Sequence, residues 1–258
     1  MKPRSAAPVA SGPRLFVGTS GYAYPAWKGS FYPADLAASK MLPFYAARLS
    51  STELNHTFYK MPNAGQLEKS AALVPPEFRF SIKAPASITH RKDLELADEL
   101  FDILAERLVG LQMRAGCLYL QLPATLVCNL TRLERFLARV SRIPTERAIE
   151  LPHPSWNAPA VEALLRVHET SRVVVDVDPP DATPTPMEAP PSWGTAKAAY
   201  IRMRRDRYDN AALDGWVRRI REANPETVYV YFRHEDSGRG PKLAARFLAR
   251  WKRSAVKA

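Results

Sequence analysis

The feature that most restricts the fold of this chain is an alternation. Short β-branched or aromatic stretches, mostly bounded by Gly or Pro, recur between longer stretches of helical periodicity. Strands are expected at residues 15–18, 52–59, 78–83, 117–122, 147–151, 172–177, 198–203 and 227–232. Helical patterns lie between or after them at 40–49, 64–73, 94–111, 130–140, 158–168, 211–222 and 241–251. Strands that alternate with helices make parallel βαβ units, and eight is the number of strands that closes a barrel. The chain is thus expected to be α/β, a (β/α)8 TIM-type barrel. The competing open, doubly wound sheet lacks support, because no G-x-G-x-x-G follows any strand. A length of 258 residues with 46% hydrophobic residues is ample for such a core without disulfides or a structural metal.

The sixth unit breaks the pattern. After Asp176 the sequence runs through Pro179, Pro180, Pro184, Pro186, Pro190 and Pro191. Proline removes backbone donors and clashes with the preceding turn, so a Pro-rich loop is expected in place of the sixth helix. Residues 14–253 form the expected barrel domain, preceded by a disordered basic leader over 1–13 and followed by a basic tail over 254–258. The leader lacks the apolar segment of a secretory signal, and no stretch approaches the roughly 18 apolar residues of a membrane span. The two cysteines, Cys117 and Cys128, form neither a C-x-x-C pair nor a zinc-finger spacing. These features predict a soluble, cytoplasmic protein with no membrane partner, in which Cys117 is an inert core thiol.

Alternation along each strand separates an apolar face from a polar one. Glu53 and Asn55 oppose Leu54; Ser81 and Lys83 oppose Phe80 and Ile82; Tyr119 and Gln121 oppose Leu118, Leu120 and Leu122. Glu150 opposes Ile149 and Leu151, Asp176 shares a face with Val174, and Tyr200 and Arg202 face away from Ile201 and Met203. The polar group falls near the C-terminal end of each strand, where a barrel gathers such groups into a ring at one mouth. Glu53, Lys83, Glu150 and Asp176 are the expected catalytic groups. Thr19, Ser20, Tyr22, Asn55, His90, Gln121, His153, Trp156, Arg202 and Arg204 are the expected ligand contacts. His56 falls with Leu54 on the opposite face from Glu53 if the second strand continues through it.

The same residues carry a family likeness. Val17-Gly-Thr-Ser-Gly-Tyr-Ala-Tyr-Pro-Ala-Trp-Lys-Gly-Ser-Phe-Tyr-Pro33, Glu53-Leu-Asn-His-Thr-Phe-Tyr59, Phe80-Ser-Ile-Lys-Ala-Pro85 with Ile88-Thr-His90, Gln121-Leu-Pro123 and Glu150-Leu-Pro-His-Pro-Ser-Trp156 occur in order. With Tyr200-Ile-Arg202 and Val228-Tyr-Val-Tyr-Phe232 they resemble the domain-of-unknown-function family 72, also called YecE-like, over roughly residues 14–250. The resemblance implies a TIM-type barrel similar to endonuclease-IV-type barrels, and through them a nucleic-acid ligand. It supplies matching positions and no reaction. The chain departs from the family pattern where Pro152 stands for an arginine, where Arg204-Arg205 replace His-Gly, and where Arg233-His234 replace Asn-Asn. These changes make the mouth more cationic.

Net charge narrows the ligand class. The chain carries +11, and residues 239–258 contain seven basic side chains and no acidic one. A cation-rich chain favours a phosphate-bearing ligand or nucleic acid. Three readings follow. Lys83, Arg202 and Arg204 can hold phosphate oxygens while Glu53, Glu150 and Asp176, with His90 or His153, bind a divalent metal for phosphoester hydrolysis. The chain can instead bind nucleic acid without turnover, gripping it by phosphate contacts and aromatic stacking. Or it acts on a small sugar or phosphosugar, with Glu53 and Glu150 as acid and base, or Lys83 as a Schiff-base nucleophile.

Overall fold

The computed structural model describes residues 12–95, 98–178, 196–233 and 237–254. Eight strands form one parallel sheet: β1 (Arg14–Thr19), β2 (Ser51–Leu54), β3 (Arg79–Lys83), β4 (Ala115–Gln121), β5 (Glu146–Glu150), β6 (Thr170–Asp176), β7 (Ala198–Met203) and β8 (Thr227–Phe232). Their order, β1-β8-β7-β6-β5-β4-β3-β2, wraps the sheet into a nearly closed barrel as the alternation predicts. The helices are α1 (Met41–Ala46), α2 (Ala64–Ala72), the single-turn α3 (Ala86–Thr89), α4 (Asp98–Leu108), α5 (Leu130–Val140), α6 (Pro159–Val167), α7 (Asn210–Ala223) and α8 (Arg239–Ser254). None among the described residues is long and apolar enough to cross a membrane. The expected Pro-rich loop, the leader and the basic tail fall, apart from their ends, outside the described residues, as does His234.

Local signals place the helices. Asn129 and Asp209 cap α5 and α7 by accepting from the backbone N–H of Arg132 (3.0 Å) and Ala212 (2.7 Å). Helix α5 buries Leu133, Phe136, Leu137 and Val140 on one side, and α8 buries Leu243, Phe247 and Trp251. They cover the outward strand face of Phe80, Ile82, Leu118, Leu120, Ile149, Ile201 and Val230. At α8 the outer basic stripe is partly spent on its neighbour: Arg250 pairs with Asp214, and Arg246 donates to Asn210.

The bore is filled by a second cluster in which large and small residues interdigitate: Tyr119, Tyr200, Tyr229 and Tyr231 with Cys117, Ala148, Val173 and Ala198. Tyr119 and Tyr200 stack at 5.3 Å, with their planes 14° apart. A buried phenol is costly unless its hydroxyl is bonded, and each of these is. Tyr119 donates to Glu150 (2.6 Å), Tyr200 to Glu53 (2.7 Å) and Tyr229 to Glu146 (2.5 Å), while Tyr231 meets Ser51 and Ser81. Through Tyr119 and Tyr200 the core thus ends upward in the Glu150 and Glu53 carboxylates of the mouth, while Glu146 starts β5 at the opposite end. Cys117 is buried, and burial pushes its thiol well above the usual range, as expected of an inert core thiol.

The barrel closes at a seam between β1 and β2. The backbone bonds there are Ser50 N–H to Val17 (3.1 Å) and Gly21 N–H to Glu53 (2.8 Å). Between them the Tyr45 hydroxyl accepts from Thr19 N–H (2.8 Å) and donates to the Ser51 carbonyl (3.0 Å), standing where a ladder bond would be. Gly18 permits this approach, since a Cβ there would sit 1.7 Å from the Ser51 carbonyl oxygen.

One strand differs from its expected length. β2 stops at Leu54, not residue 59, because the chain turns into a 3-10 segment at His56–Phe58. The buried Thr57 hydroxyl lies 2.7 Å from both the Leu54 and the Lys83 carbonyl oxygens and holds the turn against the end of β3.

Candidate functional site

A cavity of about 660 Å³ opens at the C-terminal ends of the strands. Ser20, Tyr24, Asn55, His56, Tyr59, Lys83, Gln121, Glu150, Val175, Val177, Arg202, Arg204 and Arg233 line it. Of the expected site residues it gathers Ser20, Asn55, Lys83, Gln121, Glu150, Arg202 and Arg204, with Glu53 directly beneath them.

Arg202 organises the floor. Its Nη2 reaches Glu53 Oε1 at 3.0 Å, and its Nη1 reaches the Tyr119 hydroxyl at 2.7 Å and Glu150 Oε2 at 3.2 Å. Its guanidinium carbon lies 4.6 Å from the Tyr119 ring centre. Glu53 has no solvent exposure and also accepts from Ser20 (2.9 Å) and Tyr200 (2.7 Å). Burial alone would raise its pKa. The Arg202 charge, with the hydrogen bonds from Tyr200, Ser20 and Arg202, outweighs burial and holds the carboxyl below the ordinary range. Glu150 accepts from Gln121 Nε2 at 2.7 Å as well as from Tyr119. Both carboxylates are therefore committed to protein donors.

The cations above the floor are placed differently. Lys83 Nζ lies 4.0 Å from the Phe58 ring centre and 5.9 Å from that of Tyr119, and it makes no hydrogen bond or ion pair among the described residues. The half-buried Arg204 guanidinium likewise has no side-chain partner among the described residues. Its backbone N–H donates to the Asp176 carbonyl (2.7 Å), which fixes where it leaves β7. Burial and the Arg202 charge lower the pKa of both Lys83 and Arg204. Arg233 is exposed, 3.4 Å from Asp206. Tyr24 donates to the Ser20 carbonyl (2.8 Å), and burial followed by the Glu53 charge pushes its phenol up to about 12.

Several expected residues lie elsewhere. Asp176 is not in the mouth: on β6 the bore-facing residues are Val173 and Val175, which puts Val174 and Asp176 on the outer face. There Asp176 accepts from Trp216 Nε1 of α7 (2.9 Å) and Arg205 Nε (2.6 Å). Thr19 also points outward, to Tyr45, and Tyr22 packs on the same ring, 6.0 Å away, through tilted planes. Trp156 is fully buried and donates to the Leu126 carbonyl (2.8 Å), so it offers no stacking surface. The His153 ring faces Ser155 (2.8 Å) at a local cap, and the His90 ring lies against Phe58 and Thr89. None of these lines the cavity.

That dispersal removes the expected divalent-metal set. Asp176, His90 and His153 are away from the cavity, and Glu53 and Glu150 share Arg202. Among the described residues no group of three or more His, Cys, Asp or Glu side chains is placed to hold a metal ion. The site also contains residues that alternation missed. His56 turns toward the cavity because β2 ends early, and Tyr24, Tyr59 and Arg233 arrive on loops. Tyr119 and Tyr200 carried a legible signal, being polar-ended side chains on the same face as Gln121 and Arg202.

Comparison with known proteins agrees with this architecture. A relative from Escherichia coli, the UPF0759 protein YecE, is 28% identical over 183 residues, 68% of this chain and 64% of the relative's length. A crystal structure of a DUF72 family protein from Thermotoga maritima is similar with a TM-score of 0.76 at 24% identity, covering 94% of this chain and 99% of that one. A sugar phosphate isomerase/epimerase from Parabacteroides distasonis shares the fold at a TM-score of 0.55 and 13% identity, covering 95% and 96% of the two chains. The profile described as "Protein of unknown function DUF72" matches residues 16–258, so the chain belongs to that family.

Proposed function

We propose that the barrel mouth binds a small phosphate-bearing organic ligand. The observation that carries this reading is the imbalance of hydrogen-bonding capacity in the cavity. Glu53 and Glu150 are occupied by Arg202, Tyr119, Tyr200, Gln121 and Ser20, whereas the side chains of Lys83 and Arg204 make no hydrogen bond or ion pair among the described residues. Lysine and arginine are donors only, so the unspent capacity is cationic donors that call for anionic oxygens. A planar guanidinium suits phosphate in particular.

A small ligand is favoured over a nucleic-acid polymer by the outer surface. The basic residues of α8 nearest α7 are engaged with Asn210 and Asp214, and Trp156 is core, so the expected electrostatic and stacking platform is reduced. The shared fold of a sugar phosphate isomerase/epimerase supplies the natural panel of compounds. The test is a thermal-shift and calorimetric comparison of fructose 6-phosphate with fructose, and of both with a short single-stranded oligonucleotide. The phosphorylated sugar is expected to raise Tm and fructose to leave it unchanged, with the shift lost in Arg204→Gln. No response to any phosphate compound, or a response that survives Arg204→Gln, would overturn the reading. Oligonucleotide binding that weakens steeply with salt and persists in that variant would replace it with polymer binding.

A further inference from the structure

Lys83 is the last residue of β3, set at the cavity wall by its register with Tyr119 on β4. The usual place for a half-buried lysine is against a carboxylate, and two carboxylates share this mouth. Both are bonded to Arg202 instead, and the Lys83 amine stands over the Phe58 ring with no hydrogen-bond partner among the described residues. Its nitrogen lies over the Phe58 ring and 5.9 Å from the Tyr119 ring centre, on the wall of the ligand space. The Phe58 face by itself would hold the ammonium form, but an amine with no carboxylate partner is also one that can shed its proton and attack. Burial and the neighbouring Arg202 both favour the neutral amine, and Glu53 and Glu150 only partly oppose them.

We infer that Lys83 Nζ is a carbonyl-reactive amine, forming a Schiff base with the aldehyde or ketone of a phosphate-bearing ligand whose phosphate Arg204 holds. The inference rests on the phosphate reading above and divides its two free cations between two tasks. The amine lone pair attacks the carbonyl carbon; a C–N bond forms and the carbonyl π pair moves to oxygen. Transfer of an amine proton to that oxygen gives the neutral carbinolamine. Its hydroxyl, protonated by a cavity acid, leaves as water while the nitrogen lone pair closes the C=N bond, and the remaining N–H proton returns to the acid. One amine and one carbonyl become one imine and one water, with no oxidant or reductant consumed. A protonated water in the open cavity serves as that acid, because Glu53 and Glu150 are both committed to protein donors.

The test treats the full chain with pyridoxal 5′-phosphate, a phosphate-bearing aldehyde, and in parallel with pyridoxal. Borohydride then fixes any imine, and peptide mass mapping locates it. Lys83 is expected to be labelled several-fold more than any other lysine by the phosphorylated probe and much less by pyridoxal. Arg204→Gln should lower the phosphorylated probe's yield at Lys83 toward that of pyridoxal, and Lys83→Arg should remove the label there. Labelling of Lys83 no greater than that of exposed lysines such as Lys40 and Lys60 would overturn the inference in the unmodified chain, whatever the variants do. A thermal shift by pyridoxal 5′-phosphate without a Lys83 adduct would leave phosphate binding standing and remove the Schiff base. Equal labelling of Lys83 by both probes would do the reverse, keeping the reactive amine and removing the phosphate.

Discussion

Arg202 and Glu53 meet at 3.0 Å with 5% and 0% of their side chains open to solvent, joining β7 to β2 through the centre of the barrel. A pair this dry is costly to assemble, and more costly to break from one side. Replacing Arg202 with leucine leaves Glu53 and Glu150 facing each other without their shared cation. The expected loss is about 3–5 kcal/mol in urea unfolding. Glu53→Gln should cost less, because an amide still accepts from Arg202. A loss below about 1 kcal/mol for Arg202→Leu would show that the network contributes little to the barrel.

The same pair sets an acid limb. The folded pKa of Glu53 lies below its ordinary value of 4.5. Where the folded pKa is depressed, the unfolded chain binds more protons in the window between the two values, so stability rises with pH there. The contribution is complete above pH 4.5 and is lost as pH falls from that value through the folded pKa. In Glu53→Gln this part of the acid limb should flatten, read as a smaller fall in Tm between pH 5 and pH 3 at fixed ionic strength (about the span expected for a carboxylate). An unchanged slope would assign the limb to other carboxylates.

The β1–β2 seam predicts two further costs of different size. Gly18→Ala places a methyl carbon 1.7 Å from a backbone oxygen, which no rotamer relieves, and should abolish folding or open the seam. Tyr45→Phe keeps the ring and removes only the hydroxyl that joins Thr19 N–H to the Ser51 carbonyl. Leaving those buried groups unpaired is expected to cost about 1–3 kcal/mol. Hydrogen exchange at Thr19 should accelerate more than at Val230, which lies in a fully paired ladder.

How much of this was legible follows from where each strand's two faces differ. On β3, β4, β5 and β7 a polar residue opposes clean apolar ones, and alternation alone places Lys83, Gln121, Glu150 and Arg202 at the mouth. On β6 both faces carry valine, so alternation alone reads Asp176 as an inward group, although the outer face has a partner for it in Trp216 some forty positions later in the chain. Sequence alternation carries no such long-range information. Family likeness shares the limit: Trp156 and His153 belong to matched segments, yet one is core and the other a local cap.

Asp176 therefore yields a prediction opposite to that for a catalytic carboxylate. Asp176→Asn retains an acceptor for Trp216 but weakens the Arg205 pair, and should lower Tm modestly. Asp176→Ala, which removes the carboxylate acceptor of the buried indole N–H, is expected to cost about 1–3 kcal/mol. Neither should change the affinity for a phosphorylated sugar once measured below the variant's Tm. A loss of binding in folded Asp176→Asn, larger than that of Glu150→Gln, would place Asp176 back among the groups that act on the ligand.

The early end of β2 separates two histidines that sequence spacing ranks the other way. If the strand ran through residue 59, His56 would point with Leu54 toward the helices, and His90 would be the better ligand contact. With the Thr57 hydroxyl holding the turn at Leu54 and Lys83, His56 instead lines the cavity, while His90 leans on Phe58 outside it. His56→Ala should weaken binding of a phosphorylated sugar or narrow the set of sugars bound, with little change in Tm. His90→Ala should leave binding intact and cost a little stability through lost contact with Phe58. Thr57→Val tests the cause: it keeps the shape but removes the hydroxyl, so the turn loosens and binding should fall although residue 57 touches no ligand. Calorimetry on the three variants distinguishes these outcomes, and a binding defect confined to His90→Ala would show that the turn at Leu54 does not decide which imidazole the ligand meets.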